Sequence, residues 1–323
     1  MAFRVLVTGR GSIAKRHTEH LRALSPGVVV AVISRTGTVD ESFEPCEVFA
    51  DMARGLRWKP DAVVIASVSS RHADELDACL QGGLPCLVEK PIVIARQQLV
   101  RLRASAAAAP APLAVQVGCN LRHLPALARL RQILASGTLG RLVRAQLEVG
   151  QDLTQWRPGR GLAGSYSADS AQGGGVVFDL VHEIDMAVWL LGPLQVKAAI
   201  GGHLSSLPVS CDDVHTALLV GPGAAPVVVA LDYVSQRPVR RYSFVAERGS
   251  IVCDLIAREI TVADRAGVHS ITSDATDFDV AGTYRSQMAD WLAAVQYPQR
   301  PLVSPLSEAF EAAELMLAMK EAT

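Results

Sequence analysis

The apolar positions of this chain change their spacing partway along. In the first third they come in short runs, at 3–8, 28–33, 62–66, 86–88 and 113–117, broken only by Arg4 and Gln116 and ending in Thr8 in the first. Between some of these runs they fall at helical spacing: in 12–24, Ile13, His17, Leu21 and Leu24 share one side, and 71–81 follows the same rhythm. Strands buried on both faces read as unbroken apolar runs, and helices between them are the crossovers a parallel sheet requires. The alternation predicts a doubly wound, Rossmann-type domain over residues 1–119. The stretch 104–112 carries Pro110 and Pro112 and ends a helix, since prolines this close cannot continue one.

After Asn120 the pattern is different. Helical spacing at 125–136 leads into a strand-like stretch at 142–149, then a polar Gly/Ser-rich loop over 151–172 and a helix at 181–191. Apolar alternation at 216–220, 227–233, 242–246 and 251–255 predicts successive strands without long helices between them. That pattern fits a large open, mostly antiparallel sheet with one covered face. Helices return at 284–295 and 307–320. The predicted class is therefore α/β: an N-terminal Rossmann doubly wound parallel sheet, then a C-terminal α+β domain over 120–323.

Composition narrows the function. At 323 residues, 50% hydrophobic, the chain suits two cores better than one. A formal net charge of -1 argues against a nucleic-acid partner, which would favour a basic excess. No apolar run reaches the roughly 18 residues that a membrane span needs. No charged leader and apolar block open the sequence, so a cytoplasmic protein is expected. The six cysteines are scattered singly, with no C-x-x-C pair to indicate a zinc site or a disulfide framework.

The first chemical signal is Gly9-Arg10-Gly11-Ser12-Ile13-Ala14, placed after a predicted strand and opening a predicted helix. In a dinucleotide fingerprint the first Gly permits the tight turn and the second lets backbone approach the pyrophosphate. The third small residue, here Ala14, lets helix pack close to strand. The N–H groups at the start of the helix then meet phosphate charge. The bland reading is a glycine turn chosen for geometry alone. About 20 residues beyond the turn, NAD-binding chains usually carry an acid for the ribose 2′-hydroxyl. Here that place holds Ser34-Arg35-Thr36. A hydroxyl and a guanidinium suit a 2′-phosphate better, which favours NADP, with NAD as the alternative. Arg35 could also be a solvated loop residue.

Five pieces in order carry a resemblance: the opening turn; Ser67-Val68-Ser69-Ser70-Arg71-His72 followed by Glu89-Lys90-Pro91; Gly118-Cys119-Asn120-Leu121-Arg122; the run from Gly173-Gly174-Gly175 through Asp179 to His182-Glu183-Ile184-Asp185; and Asp232-Tyr233 with Glu247-Arg248-Gly249-Ser250. The chain resembles the glucose–fructose oxidoreductase and inositol dehydrogenase family, Gfo/Idh/MocA, over essentially its whole length. The resemblance implies that the second domain's sheet supports a homodimer or homotetramer and that the last helix, about 307–320, returns to the first domain. It implies cofactor contacts from Ser67, Ser69, His72, Glu89, Lys90 and Asn120, with His72 on the nicotinamide side. His17 is read as structural.

Oxidising a carbinol to NAD(P) needs a group that takes the hydroxyl proton near working pH. Lys90, after a strand end at the cleft of a doubly wound sheet, is the first candidate; a surface lysine is the alternative. His182 is the second, since imidazole accepts a proton near neutrality. The resemblance gives this His a catalytic role with an Asp and the Lys as partners. In many members that Asp lies four residues earlier; here position 178 is Phe and Asp179 lies three before. Spacings of three and four both share a helix face, so Asp179 is the candidate substitute; a side chain that points elsewhere is the alternative. Asp185 could orient the imidazole or contact a substrate hydroxyl. Asp179, His182 and Asp185 do not make a recognisable metal set, and no metal is expected.

The polar loop offers Trp156, Arg157, Arg160 and Tyr166, and Arg122 precedes it. An indole stacks on a sugar ring and arginines clamp a carboxylate or phosphate, so these residues, with Lys90, Asp179, His182 and Asp185, form the substrate-binding set. An ordinary surface loop is the alternative. The expected function is an NAD(P)-dependent oxidoreductase moving a hydride between nicotinamide and a hydroxyl or ketone carbon of a sugar, cyclitol or sugar derivative. A glycosidase that uses bound NAD for transient oxidation and a non-catalytic dinucleotide-binding regulator are the alternatives.

Overall fold

The structure is a computed structural model that describes residues 2–156, 162, 165–272 and 274–323. The chain divides into two compact units, Met1–His123 with Ala281–Phe310, and Leu124–Val280 with Glu311–Thr323.

The first unit is built on six parallel strands: β1 (Arg4–Thr8), β2 (Val29–Ile33), β3 (Glu47–Phe49), β4 (Ala62–Ile65), β5 (Cys86–Val88) and β6 (Val115–Val117). Their order is β3-β2-β1-β4-β5-β6, so the direction of winding reverses beside β1. Helix α1 (Ser12–Leu24) follows β1, and α2 (Met52–Arg57), α3 (Ser69–Gln81) and α4 (Arg96–Ala108) supply later crossovers. Val5, Leu6, Val7, Val63 and Val64 are fully buried, as strands covered on both faces must be. The short β3 and α2 carry too few apolar residues to stand out in the sequence.

The returning segment, 281–310, contains most of α8 (Val280–Gln296) and the first residues of α9 (Leu306–Glu321). Met288 and Trp291 of α8 join the core around Val5, Val7 and Val64. The Gln287 side chain donates to the Val117 carbonyl at 3.1 Å, and the Asn120 amide donates to Thr283 Oγ1 at 2.7 Å. The segment that returns to the first unit is therefore α8 with only the start of α9, not the expected helix over 307–320: from Glu311 onward α9 belongs to the second unit, where the Met319 carbonyl lies 3.1 Å from His215 Nε2.

The second unit holds α5 (Pro125–Ala135), β7 (Leu142–Gly150), α6 (Val176–Asp179), α7 (Val181–Leu191) and seven further strands. These are β8 (Gln195–Gly202), β9 (Val214–Val220), β10 (Pro226–Asp232), β11 (Val239–Ala246), β12 (Gly249–Asp254), β13 (Glu259–Asp264) and β14 (Gly267–Thr272). The eight strands run in the order β14-β13-β12-β11-β7-β10-β9-β8. Only β7 and β10 pair in parallel; the other neighbours are antiparallel. One face is buried, with Leu147, Ala217, Leu219, Val227, Val229 and Leu231 inward, while Leu218 is left exposed on the other. On the covered side α7 is pinned by an ion pair. Glu183, fully buried, accepts from Arg240 Nε at 2.6 Å and from the Tyr242 hydroxyl at 2.8 Å. Among the described residues no helix is long and apolar enough to cross a membrane.

Candidate active site

In the first unit, β1 delivers the chain into the glycine turn. Gly9 has φ +86°, and a Cβ there would lie 2.4 Å from the Ala66 carbonyl oxygen, so neither the backbone nor the space admits a side chain. Gly11 caps α1 with no side-chain hydrogen bond, and a Cβ there would meet nothing within 4 Å. Space is thus left over the first turn of the helix, where its unbonded N–H groups lie. Ala14 is fully buried and lies in the core cluster with Val5 and Val7 of β1.

The strand ends around this turn are braced by an acid that the sequence reading did not single out. Glu75 is 4% exposed and its Oε2 accepts from Thr8 Oγ1 at 2.6 Å and from Ser67 Oγ at 2.8 Å. Its other oxygen lies 3.6 Å from Arg71. The i, i+4 spacing of Arg71 and Glu75 was the available signal.

At the end of β2, Arg10 reaches from the glycine turn to donate to Thr36 Oγ1 at 2.9 Å. Ser34 is buried and donates to the Thr38 carbonyl, while Arg35 is exposed. The nearby Asp40 is held by Lys15 at 2.8 Å; that contact and bonds from Ser42 bring its carboxyl down to about 2. Arg10 was not among the expected cofactor residues; it sits between the two glycines and shows its target only once β2 lies beside β1.

The Glu89-Lys90-Pro91 turn follows β5. Glu89 is buried, and burial pushes its carboxyl up, but a hydrogen bond from His17 Nε2 at 2.8 Å and the charges of His17, Lys90 and His72 bring it below the ordinary range. A Cβ on Gly118 would lie 2.9 Å from that carboxylate. His17, read as structural, is fully buried and is the side chain that holds Glu89. Lys90 is half-buried and joined to Pro91 by a cis peptide. In His72, Nδ1 lies 2.8 Å from the Pro91 carbonyl oxygen and Nε2 3.0 Å from that of Ser67. Ser69 is buried at the start of α3, and Asn120 has its amide on Thr283.

In the second unit, Asp179 ends α6 and is 6% exposed. Its carboxylate accepts from the Tyr166 hydroxyl at 2.8 Å and from the Tyr233 hydroxyl at 3.1 Å. Burial first, and then the Asp179 charge, push the Tyr233 phenol well above its ordinary value, so it remains a donor. Leu180, with ψ +27°, separates α6 from α7. The shared helix face assumed for Asp179 and His182 is therefore absent: the two lie on consecutive helices. His182 is half-buried in the first turn of α7, and Asp185 is buried.

The start of α6 is set by the glycines before it. A Cβ on Gly174 would fall 2.2 Å from the Tyr166 carbonyl oxygen, and one on Gly175 (φ +120°) 2.4 Å from Asp212 Oδ1. Asp212 accepts from the Val177 N–H at 3.1 Å and is paired with Lys320 of α9.

Of the loop residues expected to meet a substrate, Trp156 and Tyr166 fall within the described residues. Trp156 packs edge-on against Tyr233, with ring centres 5.4 Å apart, and Tyr166 binds Asp179. Arg122 is buried in the first unit and paired with Glu308, with the Val303 carbonyl 3.4 Å away. Arg157 and Arg160 lie outside the described residues.

With this geometry in place, the comparisons identify the group. Residues 3–117 match the oxidoreductase family with an NAD-binding Rossmann fold, and residues 127–252 match the GFO/IDH/MocA C-terminal domain. The chain belongs to the Gfo/Idh/MocA family. It is similar to inositol 2-dehydrogenase of Gluconacetobacter diazotrophicus, 28% identical over 62% of this chain and 58% of that protein. It is also similar to inositol 2-dehydrogenase of Mycolicibacterium smegmatis, 29% identical over 91% of this chain and 84% of that one. The first of these matches spans well under two thirds of its relative. Among solved structures, the UDP-N-acetylglucosamine 3-dehydrogenase of Acidithiobacillus ferrooxidans superposes with a TM-score of 0.78, at 20% identity, over 100% of this chain and 98% of that one; that likeness bears on the fold.

Proposed function

We propose that the chain is an NAD(P)-dependent dehydrogenase or reductase acting on a hydroxyl or ketone carbon of a sugar, cyclitol or sugar derivative. The observation that carries this reading is the pairing of an open Gly11 with a half-buried Lys90 next to the buried Glu89. A Rossmann sheet takes its ligand at the carboxyl ends of its strands, which is where both residues stand. Bound nicotinamide would accept the hydride. The residues' own task is the proton: Lys90 or His182 takes it from the hydroxyl as the carbonyl forms, and returns it in reduction. Asp179, an acceptor for two phenols, is the third member of that catalytic set, and Asp185 a substrate contact. The similar inositol 2-dehydrogenases support a cyclitol or sugar-like substrate class.

NADP is the preferred cofactor in this reading. Arg10, Ser34, Arg35 and Thr36 place two guanidiniums and two hydroxyls at the end of β2, with no acid among them. Assembly as a homodimer or homotetramer through the open sheet face is supported by its uncovered Leu218, and a reducing cytoplasm by the scattered thiols.

The test is turnover of free NADP and NAD with a panel of cyclitols, aldoses and nucleotide sugars, beside mass spectrometry of the dinucleotide that copurifies. Net reduction of free cofactor is expected, whereas a glycosidase would give none. Lys90→Met should abolish turnover and keep dinucleotide binding; full turnover in that variant overturns the assignment.

A further inference from the structure

We infer that His72 is a positioning residue, held as the imidazolium, that clamps the Lys90–Pro91 turn to the end of β4. The inference rests on the reading of Lys90 as the proton-transfer group only for its effect on turnover. The charge state rests on geometry alone.

His72 is 2% exposed. Its two ring nitrogens face two backbone carbonyl oxygens, Pro91 O at 2.8 Å from Nδ1 and Ser67 O at 3.0 Å from Nε2. A carbonyl oxygen only accepts, and a neutral imidazole has a single N–H. In either neutral tautomer one nitrogen lone pair would be pressed against an oxygen lone pair. The cation donates to both. Glu89 from the β5 turn is a buried carboxylate that burial pushes up and that the hydrogen bond from His17 of α1, then the charges of His17, Lys90 and His72, bring below the ordinary range. On α3 itself the charged neighbours are Arg71 and Glu75, which face each other at 3.6 Å.

The consequence is mechanical. β4 and β5 are paired neighbours, with Ile65 beside Val88, and each runs into one of the clamped turns. Ser67 lies in the turn after β4, and Pro91 follows Lys90. One ring therefore ties the peptide that aims Lys90 to the segment that leads into α3.

The experiment uses the full chain with its dinucleotide bound. Nitrogen-15 spectra of histidine-labelled protein at neutral pH, with His72 assigned by its loss in His72→Gln, should show protons on both ring nitrogens. A nitrogen without a proton overturns the inference. In turnover, His72→Phe should lower kcat about 100-fold, the size of effect a misplaced reacting group produces. Dinucleotide Kd should stay within about twofold, because both hydrogen bonds of the ring go to backbone carbonyls. His72→Gln, whose amide restores N–H donors, should recover about tenfold of the loss. An unchanged kcat in His72→Phe overturns the positioning role; if that variant does not fold, His72→Gln and the spectra decide. Normal turnover in Lys90→Met would instead remove the proposed function and leave the charge of His72 to the spectra.

Discussion

Two glycine runs in this chain look alike in sequence and do opposite things. At Gly174 and Gly175 the space a side chain would need is already filled, by the Tyr166 carbonyl and by the Asp212 carboxylate. At Gly11 that space is empty. The first run is glycine because protein packs against protein; the second leaves room for something that is not protein. Gly9 belongs with the filled group, although it shares a motif with Gly11. A motif letter therefore covers two physical requirements, and only the contacts separate them.

The difference can be broken by substitution. Gly175→Ala should be the most damaging, because a Cβ at φ +120° is strained and also collides with Asp212; a loss of about 3 kcal/mol is expected in denaturant unfolding. A loss below about 1 kcal/mol would mean that Asp212 moves freely and that the filled-space reading is wrong.

Glu89→Gln comes next, since Glu89 is the group that fills the space over Gly118. Losing a charged hydrogen bond to His17 should cost about 2 kcal/mol at neutral pH. The sign with pH follows from the lowered carboxyl. Its stabilisation is present above the ordinary glutamate value of 4.5 and disappears as pH falls through the lower folded value. Wild type and Glu89→Gln should therefore converge in acid; a gap that widens there would refute the ion-pair account.

Gly11→Ala should leave the fold within about 0.5 kcal/mol, because φ is -75° and the space is open. It should weaken dinucleotide binding about tenfold, or 1.4 kcal/mol, if backbone approach to phosphate is what the glycine allows. Unaltered affinity by titration would put Gly11 outside the cofactor site. Tyr233→Phe should have the smallest effect, about 1 kcal/mol of stability for one neutral donor lost from Asp179. A larger drop in kcat than in stability would tie Tyr233 to the chemistry through Asp179.

Much of this was legible in the residues. Continuous apolar runs and the later alternation separated a sheet buried on both faces from a sheet covered on one, and the glycine turn, Lys90 and His182 are the residues on which the proposed chemistry rests. What escaped depends on distant partners. Nothing local says that His17 will meet Glu89, or that Arg122 will meet Glu308, because 72 and 186 residues separate those pairs. The break at Leu180 escaped for another reason: the three-residue spacing of Asp179 and His182 suits a continuous helix as well as a broken one, and Gly175, Asp212 and the two tyrosines decide between them.

The discontinuity of the first unit has a consequence for synthesis. Trp291 and Met288 complete the packing around Val5 and Val64, so a nascent chain that has emerged only as far as residue 123 presents a nucleotide-binding sheet with part of its apolar cover missing. That sheet must wait, exposed, while the whole of the second unit's strands are made. Translation speed and chaperone capture over those residues bear on how much chain reaches the native state, and early truncation products should aggregate rather than persist as free Rossmann domains.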